Sequence, residues 1–164
     1  MVKLVLMHKA DSVYEDVPET VYDFPKSYLK AAREAVGDWV VYYEPVKAGP
    51  RGYFAVAQIA EIIAKPGVPD RYLALIKPGT FLEFDQEVPR LVEGRPLEAS
   101  LTAVDGTPKS GGAVQLAVRR LAEADFARIL NIGLREDLEA HEAGRYDPNG
   151  YQADEGAEIF RPPV

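Results

Sequence analysis

"GDWVVYYEPVKAGPRGYFAVAQI", residues 37–59, is the stretch whose reading decides the fold. Its two flanks, WVVYYEP (39–45) and the start of GYFAVAQIAEII (52–63), are rich in valine, isoleucine and aromatic rings, the residue types that suit a pleated surface. Between them, EPVKAGPRG holds the glycines and prolines of a hairpin loop. The period of two puts Trp39, Val41 and Tyr43 on one side and Val40 and Tyr42 on the other. In the second strand it sets Tyr53, Ala55, Ala57 and Ile59 against Phe54, Val56 and Gln58. One face must line a core, so only part of this aromatic content is free for another role. Those rings are suited to wall a pocket for a flat ligand.

Working outward, KLVLMHK (3–9) reads as a first strand, and residues 10–25 as a long polar and aromatic connection stiffened by Pro18 and Pro25. KSYLKAAREAV (26–36) has helical spacing at Leu29, Ala32, Arg33 and Val36, with Gly37 as its stop. RYLALIKPG (71–79) and TFLEFDQEVP (80–89) read as a second hairpin turning at Pro78-Gly79. Residues 90–112 are irregular, 113–121 fit a short helix or a strand equally, and EADFARILNIG (123–133) is a helix. The expected class is α+β, with a curved, mainly antiparallel sheet and two or three flanking helices.

The 164 residues allow one domain with an appended tail: a compact part over 1–135 and an acidic linker over 136–164. Residues 136–158 contain eight acids against Arg145 alone, so this segment carries a charge equal to the whole net −7. The body is therefore neutral, which leaves room for a local basic surface. There is no cysteine, which excludes disulfides, thiolate metal sites and cysteine nucleophiles and fits a cytoplasmic setting. No apolar run reaches the roughly 18 residues of a membrane span.

Catalytic motifs are missing. His8 and His141 are the only histidines and neither has a second ligand at metal-site spacing. Asp70 and Lys77 hint at a nuclease pattern, but Leu75 stands where its second acid belongs. Glu83, Asp85 and Glu87 alternate along one strand and read as a solvated face. Tyr14, Tyr22 and Phe24 lie in the first connection together with Asp11, Glu15 and Asp16. There a carboxylate could accept from the exocyclic amine of a cytosine.

The segments DSVYED (11–16), YDFPKSYL (22–29), GDWVVYYEP (37–45) and RGYFAVA (51–57) carry a resemblance. Together with YLALIKPGTFLEF and GGAVQLAVRRLAEADFARIL, they are similar to the N-terminal specificity domain of modification-dependent HNH restriction endonucleases. That domain belongs to the PUA-like superfamily, with SRA, EVE, YTH and ASCH domains. The similarity spans residues 4 to about 135, and no HNH motif is present.

It implies a PUA-like curved sheet or partial barrel that flips a 5-methyl- or 5-hydroxymethylcytosine out of duplex DNA. It also implies a fused or associated HNH nuclease as partner, no cofactor, no metal and no catalysis by the domain itself. On that resemblance Asp11, Ser12, Tyr14, Tyr22 and Phe24 are expected to line the base pocket, with Trp39 and Tyr43 behind them. Lys47, Arg51, Lys109 and Arg119 are expected to contact phosphates. An RNA-binding domain and a nucleoside hydrolase of the same superfamily are the alternatives.

Overall fold

The computed structural model describes residues 2–8, 17–45, 51–109 and 116–134. Their centre is the strand pair read from residues 37–59. Strand β3 (Trp39–Glu44) lies antiparallel to β4 (Gly52–Ala64), which at thirteen residues is the longest element among the described residues. Strand β1 (Lys3–Met7) pairs parallel with β3, and β9 (Val118–Leu121) closes that side antiparallel to β1. Residues 113–121 thus resolve in favour of a strand at their end.

On its other side β4 meets β5 (Arg71–Ile76), and β5 meets β2 (Val21–Pro25) at the sheet edge. Within 10–25, then, VYDFP is a strand where a connection was expected. Pro25 is compatible with it because it stands at the end of an edge strand, where no ladder donor is missed. The result is an open, seven-stranded mixed sheet in which, among the described residues, only β1 and β3 pair parallel.

The expected second hairpin is not there. Residues 82–88 form β6, and both β5 and β6 run antiparallel to β4, end to end along the same edge. The length of β4 makes this possible: residues 59–64 pair with β5 and residues 53–56 with β6. The hairpin turn lies earlier, over residues 65–70, where Asp70 takes a positive φ of 62°. Pro78-Gly79 is only an excursion between two collinear strands. Thr80 holds it against β4: its hydroxyl donates to the Lys77 carbonyl and accepts from the Gln58 N–H.

Both faces of the sheet are covered. A 3₁₀ turn (Lys26–Tyr28) leads into helix α1 (Leu29–Glu34), whose Ala31 and Ala32 pack on one face with Leu4, Tyr42, Phe54 and Ile59. Helix α2 (Glu123–Gly133) covers the other, where Ile129 joins Val5, Val41, Tyr53 and Val88. The alternation expected in β3 holds. In β4 it breaks at a bulge between Tyr53 and Ala55, which turns Tyr53 towards α2 while Phe54, Ala55, Ala57 and Ile59 face α1. The stretch 90–112 is not wholly irregular. It contains a small hairpin, β7 (Leu91–Val92) and β8 (Arg95–Pro96), turning on Glu93 and Gly94, both at positive φ as a two-residue primed turn requires. A 3₁₀ turn (Ala99–Leu101) follows it.

Helix α2 is anchored at its last turn. Gln86 donates to the Ile132 carbonyl, and Gly133 sits so close to Phe84 that an added Cβ would lie 2.6 Å from the ring. Removing residues 136–164, which lie outside the described residues, should therefore leave the melting temperature within about two degrees of the full chain. A clear drop in a thermal melt would show that the domain extends beyond α2.

Candidate functional site

One end of the sheet collects the C-termini of β1, β3 and β6 and the N-termini of β4 and β9, because β1 and β3 are parallel and their neighbours antiparallel. Segments 9–16, 46–50 and 110–115, all outside the described residues, attach to the sheet there. Asp11, Ser12, Tyr14 and Lys47 belong to these segments, so their positions are not described.

At this end β6 bows away from β4. The pairs Tyr53↔Val88 and Ala55↔Glu83 enclose a single β4 residue, Phe54, but residues 84–87 of β6. The bow opens a cleft of about 540 Å³ lined by Arg51, Phe54 and residues 83–87. This volume falls within the range of small-molecule clefts.

The cleft is built from charge and ring. The Arg51 guanidinium lies over the Phe54 ring, 4.1 Å from its centroid. It donates to Glu87 at 2.6 Å and stands 3.5 Å from Glu44. Phe54 is buried, with Tyr42 tilted against it at 6.0 Å and Phe81 tilted against Tyr42 at 5.7 Å. His8 also faces Phe54, at 6.0 Å, and its buried Nδ1 has no hydrogen-bond partner among the described residues. Glu83 and Asp85 are exposed on the cleft rim, as the acidic alternation of this strand predicts.

The rings expected to form a pocket do not come together. Tyr22 and Phe24 belong to the core under α1, whereas Tyr43 and Trp39 belong to the packing under α2, on the opposite face. Tyr22 is fixed by donating its hydroxyl to the Met7 and Ala117 carbonyls. Tyr43 packs on Tyr53, with ring centroids 5.1 Å apart. Tyr22, Phe24 and Tyr43 are buried and Trp39 is half-buried, and the sheet sets the two pairs on opposite faces.

Arg119 is likewise a departure from expectation. It is 5% exposed, and its Nε and Nη2 donate to the two carboxylate oxygens of buried Glu98 at 2.8 and 2.7 Å. Tyr53 completes this cluster by donating its hydroxyl to Glu98 at 2.5 Å. Burial first, then the charge and hydrogen bond of Glu98, raise the Tyr53 pKa far above the ordinary tyrosine value. A guanidinium enclosed in this way cannot reach a phosphate. Lys109, by contrast, is exposed.

Another buried carboxylate, Asp23, ties β2 to the β4–β5 turn through Lys65 at 2.6 Å and Arg71 at 2.8 Å. Among the described residues no group of three metal-ligating side chains converges.

Sequence reasoning missed Phe54 and Glu87 as cleft residues, and Glu98 as a buried ligand of Arg119. Phe54 carried a signal, since it is one of the aromatics in the opening hairpin. Glu98 carried none, because a lone acid after Pro96-Leu97 resembles any surface glutamate. No protein-family model and no curated protein matches this chain, which leaves the geometry of this end of the sheet as the ground for a functional reading.

Proposed function

We propose that the chain is a binding module, PUA-like in fold, that accepts one flipped base of duplex DNA at the β4–β6 cleft. The base is a cytosine carrying a methyl or hydroxymethyl group, and the module serves to direct an HNH nuclease. One observation carries this reading: the break in the β4–β6 ladder opens a cleft beside an aromatic cluster, at the end of the sheet that holds the C-termini of β1 and β3 and the N-termini of β4 and β9.

The chemistry is suitable. Extruding a base costs about a few kcal/mol, which stacking and edge contacts must offset. Glu83 and Asp85 on the rim are acceptors only, matching the exocyclic amine that cytosine presents as a donor. Phosphates would meet Lys109, and Lys47 in the segment outside the described residues, and not the acid-rich cleft itself.

Fluorescence anisotropy with otherwise identical duplexes carrying unmodified, methylated, hydroxymethylated or glucosylated cytosine tests the reading, with matched RNA as a further arm. The expected result is at least tenfold tighter binding to one modified duplex and no strand cleavage with magnesium. Equal affinity for every duplex, or a preference for RNA, would refute it.

A further inference from the structure

We infer that Arg51 is a stacking shelf that selects for a planar ring in the cleft, and that it is not a phosphate contact. This deepens the proposed function and rests on it for the identity of the ring as a nucleobase.

A guanidinium offers two kinds of surface. It has edge donors for anions and two flat faces for rings. Two positions on the edge of Arg51 already face acids. Glu87 accepts from Nη1 at 2.6 Å, and Glu44 lies 3.5 Å from Nε. Two carboxylates against one guanidinium leave this point with a net negative charge, which repels a phosphate. One flat face is covered by Phe54 at 4.1 Å.

That leaves the Nη2 donors and the other flat face. Arg51 borders the cleft and its side chain is 28% exposed, and a ring in the cleft would stack on that uncovered face. Pinned between a ring and two acids, the plane is held in place before any ligand arrives. Little side-chain entropy is then lost when a base stacks on it. The sandwich Phe54–Arg51–base joins a cation–π contact to a guanidinium–base stack. Lysine would keep the charge and lose the plane, so the two substitutions separate charge from shape.

The experiment has two arms. In the first, the affinity of Arg51→Ala and Arg51→Lys chains for modified duplex is followed across a salt series, with circular dichroism to confirm folding. Both variants should bind about ten- to hundredfold more weakly, while the slope of log K against log salt stays that of the unaltered chain. If Arg51→Lys keeps full affinity, or if Arg51→Ala reduces the slope by about 0.9, Arg51 contacts a phosphate and the inference is wrong.

In the second arm, the Arg51 Nε–Hε resonance, assigned by its loss in Arg51→Lys, is titrated with cytidine and separately with inorganic phosphate. Cytidine should shift it by ring current and phosphate should not. A response to phosphate alone, or to neither, overturns the shelf. A shift with cytidine in a chain that binds no duplex would sustain the shelf and refute the DNA reading instead.

Discussion

Glu98→Ala is expected to destabilise the domain by about 3–5 kcal/mol, the usual cost of removing one partner from a buried ion pair. The carboxylate has three donors upon it: two from Arg119 and one from Tyr53. Glu98 is 1% exposed and Arg119 5%, so water cannot replace the lost contacts without opening the core under α2. Urea denaturation would show a lower midpoint with an unchanged m-value. A loss below about 1 kcal/mol would mean that the guanidinium finds another partner.

Replacing Glu98 and Arg119 together by methionine should recover much of the loss, because the penalty lies mainly in the stranded charge. Tyr53→Phe should cost about 1.5–3 kcal/mol, the range for a hydrogen bond to a charged group. The pH dependence has a definite sign. Folding raises the Tyr53 pKa above its ordinary 10.0 and so favours the neutral hydroxyl. That stabilisation is complete below pH 10 and declines as pH rises above it. Tyr53→Phe should flatten this alkaline decline in the melting temperature. An identical alkaline slope in the variant would assign the titration to another group.

Gly52→Ala should be the most damaging single-methyl change at the cleft. Gly52 has a φ of 96°, and a Cβ there would lie 2.2 Å from the Val88 carbonyl oxygen, a backbone atom with nowhere to yield. The strand would have to leave β6 at the pair Tyr53↔Val88, which closes one end of the bow. A cost above about 2 kcal/mol is expected, with a melting temperature lower by roughly 5–10 °C. Gly67→Ala is the control. It shares a positive φ of 74° but has nothing within 4 Å of its Cβ position, so it carries backbone strain alone. Equal melting temperatures for the two variants would show that β6 yields easily and that the cleft is not held by Gly52.

Much of the domain was legible because its signals are local. The β3–β4 hairpin announced itself by β-branched and aromatic runs around a Gly-Pro loop, and α2 by helical spacing over 123–133. Strand β2 escaped notice because its five residues include Asp23 and Pro25, both unusual in strands. Asp23 is paired there with Lys65 and Arg71, which come from more than forty residues away. The supposed hairpin at Pro78-Gly79 failed for a related reason. A Pro-Gly pair marks a change of direction, but whether the strands on either side pair with each other or with a third depends on the length of that third strand.

By itself the sequence determined the α+β class, the central hairpin, the two faces of β3 and the acidic stripe of β6. Each depends on residue type and spacing within a few positions. Only the tertiary structure decided which rings share a space and which charges are free. Tyr22 and Tyr43 looked alike as aromatics in strands, yet the sheet puts them on opposite faces. Arg51 and Arg119 looked alike as surface cations, yet Glu98 encloses one within the core while Phe54, Glu44 and Glu87 pin the other at a cleft. Burial and pairing are properties of what the chain brings near a residue from far along its length, and no local pattern encodes them.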